Sequence, residues 1–190
     1  MIANIEKAKL IVGWTFEPEL QWLGDQASRK NAILEVGCWK GRCTRAMVDN
    51  TDALMTVVDH WSGPADLTHF QEPYSEVIAN GPDFVLNQFK HNLADVLNQI
   101  TIFNISSVDG ARVLAEQGRT FDMIFIDADH SYEHVKEDIQ NYRPLVQKGG
   151  ILCGRDWSPA WPGVVQAVKE MIPAQDIKIG HGTTIWCCTL

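Results

Sequence analysis

The chain has 190 residues, 45% of them hydrophobic and 21% charged, which is one domain's worth of sequence with enough apolar content for a single core. Its net charge of −8, from 24 acidic against 16 basic residues, argues against partners held by neutralising phosphate, so neither nucleic acid nor an anionic membrane surface is an expected partner. No apolar run approaches the ~18 residues that cross a bilayer, and the opening MIANIEKAKLIVGW lacks a long apolar stretch with a small-residue cleavage site, so a cytoplasmic protein is the expectation.

Read in chain order, residues 18–28 carry Leu20, Leu23 and Ala27 on one helical face and predict an extra helix packed across a sheet. Short apolar runs at 32–36 and 54–58 predict two buried strands. A Pro- and Gly-richer stretch at 62–82 then reads as a loop. Val85, Phe89, Leu93 and Val96 predict an amphipathic helix, followed by a strand at 100–103 and another at 123–126. Tyr132, Val135, Ile139, Tyr142 and Val146 recur at threes and fours and predict a second helix, after which 151–153 is the fifth strand.

Beyond a loop at 154–163 and a helix at 164–171, strand-like runs at 177–179 and 183–188 are separated only by Gly180, His181 and Gly182. That connection is too short for a parallel crossover, so it predicts an antiparallel hairpin. The expected fold is therefore α/β, a doubly wound sheet of five parallel strands closed by a C-terminal hairpin, with helices on both faces. It forms one domain over 1–190, with 1–29 as an N-terminal helical extension and 61–80 as a candidate substrate loop. Cys38, Cys43, Cys153, Cys187 and Cys188 are an odd set without a C-x-x-C pair, so they read as small apolar filler and not as a disulfide framework or zinc knuckle. Nothing in the sequence sets an oligomeric state.

The sharpest local signal is Glu35-Val36-Gly37-Cys38-Trp39-Lys40-Gly41, at the end of the first strand, where a doubly wound fold places its ligand crevice. Gly37 allows a tight turn against a ligand, and Gly41 lets the next helix approach the strand and offer its free N–H groups. Asp59 closes the second strand 22 residues beyond Gly37, about where an acid reaches a nucleotide ribose; alone, such a residue is as readily a turn former or cap. Together they favour an adenosine-containing ligand. The glycine spacing does not fit the G-x-G-x-x-G dinucleotide fingerprint, and no Gly-Lys-Ser/Thr of a phosphate loop occurs. At the end of the fourth strand, Asp127, Asp129 and His130 put two acids and an imidazole within four residues on the crevice side. His130 there suits a base titrating near neutral pH, or else a helix-capping or half-buried histidine.

From Glu35 to Thr44 the chain reads E-x-G-x-x-x-G-x-x-T, and with that loop it resembles the class I S-adenosylmethionine-dependent methyltransferases. The resemblance extends through VVDHW at Asp59, FDMIFIDADHSYEHV from Phe121 to Val135, KGGIL from Lys148 to Leu152, and Asp156, covering roughly residues 30–186. The wording is most similar to the small-molecule O-methyltransferases, sugar and macrolide enzymes included, and more distantly to the catechol and caffeoyl-CoA type. That resemblance implies a Rossmann-like sheet of seven strands and S-adenosylmethionine as cofactor. It implies that Glu35, Gly37 and Gly41, with Cys38 and Trp39 between them, line the methionine side, that Asp59 with His60 beside it takes the ribose, and that Ser106 and Ser107 stand at the adenine position.

The same resemblance matches Asp127 and Asp156 to two acids that bind a divalent cation in the metal-dependent type, so Mg2+ or another divalent cation is a candidate cofactor. Trp157 stands where that type has an Asn ligand, and His130 stands where it has a lysine thought to act as base. Asp127 is also a candidate contact for the cofactor. The expected activity is methyl transfer to a hydroxyl of a small-molecule acceptor, activated by His130 or by a cation on Asp127 and Asp156. Two other readings remain beside it: a protein that binds S-adenosylmethionine without transferring its methyl group, and a nicotinamide-dependent enzyme on the same fold. Trp61, His69, Phe70 and Tyr74 in the 61–80 segment, with Trp157 and Trp161, are expected either to cover the acceptor or to anchor their loops.

Overall fold

The computed structural model describes residues 2–63 and 75–190. Two short N-terminal helices, α1 (Glu6–Leu10) and α2 (Glu17–Ala27), precede β1 (Ala32–Val36), α3 (Arg42–Val48) and β2 (Leu54–Asp59). Then follow α4 (Ser75–Asn80), α5 (Pro82–Asn92), β3 (Ile100–Asn104), α6 (Ser107–Glu116), β4 (Phe121–Ile126) and α7 (Tyr132–Tyr142). The chain ends with β5 (Val146–Gly154), α8 (Pro162–Met171), β6 (Lys178–Ile179) and β7 (Trp186–Thr189). Residues 64–74, with His69, Phe70 and Tyr74 of the expected substrate loop, lie outside the described residues; 75–80, the end of that segment, is helical.

The seven strands lie in the order β3-β2-β1-β4-β5-β7-β6. The first five are parallel, while β7 runs antiparallel to both β5 and β6. Because strand side chains alternate, the sheet feeds two cores. Ile33, Met55, Val57, Met123 and Phe125 pack with Leu20, Leu23, Met47 and Phe89 of α2, α3 and α5. On the other face Leu34, Val36, Val58, Ile124 and Ile126 pack with Leu114, Ile139, Tyr142 and Val168 of α6, α7 and α8. The strand order reverses between β1 and β4, which puts the ligand crevice at their C-terminal ends. Among the described residues no helix is long and apolar enough to cross a membrane.

Several element ends differ from the sequence pattern, each for a local reason. The helix expected through Val146 stops at Tyr142, because Pro144 cannot donate to the helical ladder and a 3-10 turn (Arg143–Leu145) replaces it. β5 starts earlier than expected, at Val146, and its pairing with β4 shifts between Phe121 and Met123 where Gly149 turns at φ 79°. The last hairpin is looser than three residues allow: Thr183 leaves the strand to hydrogen-bond the Gly180 carbonyl, and Thr184 turns to Glu19. The five cysteines are free thiols, four of them buried, as filler should be.

Among the side chains that tie the N-terminal segment to the domain, Arg42 makes the most contacts to its backbone. Arg42, at the start of α3, donates from Nε to the Thr15 carbonyl at 2.9 Å and from Nη1 to those of Lys9 at 3.1 Å and Ile11 at 2.6 Å. This fixes the turn that carries Trp14, whose ring meets Trp39 at 5.7 Å beside the crevice. Arg42→Ala should remove about 2–4 kcal/mol of local stability from residues 6–16, seen as faster amide exchange there and a red-shifted Trp14 emission. Unchanged protection would refute the strap.

Candidate active site

At the end of β1 the backbone leaves the strand through two left-handed glycines. Gly37 (φ 84°) runs so close to the loop after β4 that a Cβ there would lie 2.2 Å from the Asp127 carbonyl oxygen and 2.7 Å from Ala128 Cα. Gly41 (φ 87°) seats the start of α3 against Leu93 and Phe89, where a Cβ would meet carbons at 2.8 and 3.0 Å. Both positions therefore require glycine, for approach as well as for dihedral.

Between them Trp39 is itself left-handed at φ 46°, a strained state for a bulky residue. Asp59 holds it: Oδ2 accepts from the backbone N–H of Cys38 at 2.7 Å and of Trp39 at 2.9 Å, while Oδ1 accepts from that of Trp61 at 2.6 Å. Trp61, also left-handed at φ 52°, donates its indole N–H to the Trp39 carbonyl at 2.7 Å and buries its ring against Phe89. Of the aromatics expected to cover or to anchor, Trp61 is thus an anchor. Asp59 braces the loop before any ligand arrives, and Oδ1, which accepts a single bond here, keeps capacity for a hydroxyl. His60 is exposed beside it, its Nδ1 accepting from Ser62 N–H at 3.0 Å.

Glu35 points into the same space from the strand itself. Thr44 donates to its Oε2 at 2.5 Å, but Oε1 is buried with no hydrogen-bond partner among the described residues. Burial, aided by the charges of Asp127 and Asp59 and opposed by the Thr44 bond, pushes this carboxyl up to about 8. Across the crevice Ser106 caps α6, accepting from Asp109 N–H at 3.1 Å and donating to its carboxylate at 2.9 Å. The Ser107 carbonyl accepts from the Tyr142 hydroxyl at 2.6 Å. Behind them Asp138 of α7 is buried with Oδ2 unpartnered among the described residues, and burial lifts it to about 6 against its contact with Ser107.

The loops after β4 and β5 bring four charged side chains together. His130 Nε2 lies 2.6 Å from Asp156 Oδ2 and 3.7 Å from Asp127 Oδ1, in charge contacts and not aligned hydrogen bonds. Arg155 spans the same acids, Nε to Asp127 Oδ1 at 3.2 Å and Nη2 to Asp156 Oδ2 at 3.1 Å. Burial would lower the imidazole pKa, but the two carboxylates override it and raise His130 to about 9. Asp127, which burial would raise, is instead held below the usual carboxylate range by Arg155 and His130. At neutral pH His130 therefore presents a positive edge and not the free lone pair of a base titrating near neutrality. Trp161 stacks on its ring at 4.4 Å. Asp156 is left-handed at φ 66°, its N–H donating to the Thr184 hydroxyl at 3.2 Å. Asp129 accepts from Ser131 N–H at 2.7 Å and shapes the turn into α7.

One side chain from each of Asp127, His130 and Asp156 offers an atom within 4.8 Å of the others, a spacing that could hold a metal ion. The donor set fits a divalent cation poorly, however, because Arg155 already occupies one oxygen of each carboxylate and the Trp157 side chain has no oxygen to offer. Both halves of the site open into a cavity of about 320 Å³ whose lining includes Glu35, Gly37, Asp59, Ser107, Asp127, His130, Asp138 and Arg155. Cys38, Trp39, His60 and Ser106 line it too, whereas Gly41 and Asp156 are not among the lining residues.

Sequence reasoning missed Arg155, Asp138 and Trp14. Only Arg155 carried a local signal, as a cation directly beside Asp156. His134 of α7 is exposed and also borders the cavity.

Asp59→Asn places an amide where three N–H groups need an acceptor, so it should cost roughly 2–4 kcal/mol in denaturant unfolding. Gly37→Ala should cost at least as much, through clash and dihedral together. A loss below about 0.5 kcal/mol in both would refute this account of the loop.

A family model described as a methyltransferase domain matches residues 34–157. No curated protein sequence matches the chain. Among solved structures, the chain is similar to CalS11, a TDP-rhamnose 3'-O-methyltransferase of calicheamicin biosynthesis, with 16% identity and a TM-score of 0.64 over 90% of this chain and 76% of that one. An O-methyltransferase from Bacillus cereus in complex with SAH gives 14% identity and a TM-score of 0.65 over 98% of this chain and 87% of that one. An O-methyltransferase family protein from Burkholderia thailandensis gives 13% identity and a TM-score of 0.62 over 91% of this chain and 55% of that one. At these identities the likeness is one of fold.

Proposed function

The chain belongs to the methyltransferase domain family, and we propose that it transfers a methyl group from S-adenosylmethionine to a hydroxyl of a small molecule. The observation that carries this reading is that one cavity joins the braced glycine loop to the Asp127–His130–Arg155 cluster. Its size suits a small-molecule site. The cofactor end fits a cationic, adenosine-bearing ligand: once ionised, Glu35 offers Oε1 as an acceptor that has no partner among the described residues, and the absence of Cβ at Gly37 lets the two loops that floor the crevice close on each other.

In this reading Glu35 and the Gly37–Gly41 loop, with Cys38 and Trp39, hold the methionine part. Asp59 Oδ1 and His60 take the ribose, and Ser106 and Ser107, with Asp138 behind them, face the adenine. When bound, the cofactor supplies a methyl group on a sulfonium, which departs as a neutral thioether as the acceptor oxygen bonds to carbon. The rate then depends on alignment and on an acceptor oxygen that has lost its proton. His130 and Arg155 present a positive edge near Asp127, which lowers the pKa of a hydroxyl set against it, the proton passing to solvent. That edge favours acceptors whose hydroxyl ionises readily, such as phenols and enols.

Calorimetric titration with S-adenosylhomocysteine should give a dissociation constant of roughly 1–100 μM. Binding of neither this product nor S-adenosylmethionine would overturn the reading. Since Glu35 stays protonated below about 8, binding of the sulfonium cofactor at pH 7 should release close to one proton, seen as a dependence of the heat on buffer ionisation enthalpy. Release should fade at pH 9, where the group is already ionised, and vanish in Glu35→Gln; buffer-independent heats at pH 7 would refute this role. On an identified acceptor, His130→Gln should lower kcat by about 100-fold or more with product binding unchanged. Full turnover in both His130→Gln and Asp127→Asn would exclude the cluster from the chemistry, and cofactor binding without turnover of any acceptor would favour a binding protein.

A further inference from the structure

We propose that Arg155 occupies, with its guanidinium, the place between Asp127 and Asp156 that a divalent cation would take, so that the acceptor side of the cavity works with a fixed organic cation and binds no metal. The inference rests on the methyltransferase reading for its meaning in catalysis, though its geometry stands apart from it. The side chain of Arg155 is only 10% exposed, and those of both acids are 12% exposed. The guanidinium reaches one oxygen of each, Asp127 Oδ1 at 3.2 Å and Asp156 Oδ2 at 3.1 Å, which are the two oxygens nearest His130. These are the atoms an ion would need.

The charges close without a metal. Two carboxylates face one guanidinium and one imidazole, and an added divalent ion would leave a buried excess of positive charge unless Arg155 withdrew. Withdrawal is opposed from several sides. The Arg155 backbone N–H is tied to the Ile126 carbonyl at 3.3 Å, that of Asp127 to Val36 at 2.8 Å, and that of Asp156 to Thr184, so the acids are held at the spacing that the planar fork bridges. Thr184 is fixed in turn by Glu19 of α2 through bonds of 2.7 and 3.1 Å. Arg155 is thus a positioning residue for both acids and a permanent positive charge beside the acceptor space.

The test measures Mn2+ binding by electron paramagnetic resonance and calorimetry on the full chain after treatment with a chelator. Wild type should bind Mn2+ no tighter than about 1 mM at this site, whereas Arg155→Ala should gain a site at least about tenfold tighter, lost again in the Arg155→Ala/Asp156→Asn double variant. Arg155→Gln, which keeps the bulk without the charge, should also gain binding and guards against a failure of the alanine variant to fold. Arg155→Lys, which keeps a charge, should still exclude the ion. Tight binding of Mn2+ by wild type that Asp156→Asn abolishes would overturn the proposal, as would folded Arg155→Ala and Arg155→Gln proteins that gain none. S-adenosylhomocysteine titrated into wild type in the same series separates the two inferences: its failure to bind would remove the methyltransferase reading and leave the Mn2+ result standing on its own.

Discussion

The site depends on one close approach. At Gly37 the chain leaving β1 passes so near the chain leaving β4 that no side chain fits between them, and there the strand order of the sheet reverses. The contact sets the floor of the crevice, because Gly37 N–H bonds to Val58 and Asp127 N–H to Val36, joining β1 to its neighbour on either side. With the floor fixed, the loop above it has little freedom, and Asp59 removes most of what remains by taking its N–H groups on one carboxylate oxygen. A position that could only be glycine thus determines where an acid at the end of the neighbouring strand must sit. It also determines where Glu35, the last residue but one of β1, can present an oxygen.

The cavity solves the problem of buried carboxylates in two different ways. At the glycine-loop end Glu35 has no cation to pair with among the described residues, so burial favours its neutral form, and a cationic ligand there would displace its proton. At the other end Arg155 and His130 hold Asp127 below the usual carboxylate range, and the same two cations contact Asp156. The first arrangement is poised to change on binding, while the second is pre-set and changes little. That asymmetry suits methyl transfer from a sulfonium, where the donor's positive charge is lost and the acceptor's negative charge must exist beforehand.

Much of this was legible in the residues and some was not. Strand positions followed from short β-branched runs, and the glycine loop and Asp59 from their place at strand ends, since parallel topology forces such residues to one edge of the sheet. The ends of elements were less legible: Val146 keeps helical spacing with Tyr142, but Pro144 decides the matter, and Thr183 and Thr184 look like strand residues until their hydroxyls find tertiary partners. The protonation of His130 lay beyond reach, because it depends on two acids brought together from different strand ends. Arg155 was hidden for the same reason. Beside Asp156 it reads as a surface charge pair, and only the return of β5 next to β4 turns it inward onto Asp127.

Among the described residues three other than glycine have left-handed backbones, Trp39, Trp61 and Asp156; Trp39 lines this cavity, and the other two touch residues that do. Such conformations persist only where other contacts over-determine them. Trp39 and Trp61 are held by Asp59 and by each other, and Asp156 is held by Thr184, which hangs on Glu19 near the start of α2. The N-terminal helices are therefore more than a cover over one face of the sheet. Through Glu19 and Thr184 they reach the loop after β5, and Arg42 of α3 fixes the turn between them that bears Trp14 beside the cavity. Removing them would relax the strained acid and the aromatic rim together and uncover the core that Leu20 and Leu23 share with the sheet, so the geometry around Asp127 and Asp156 depends on a part of the chain that lies outside the sheet.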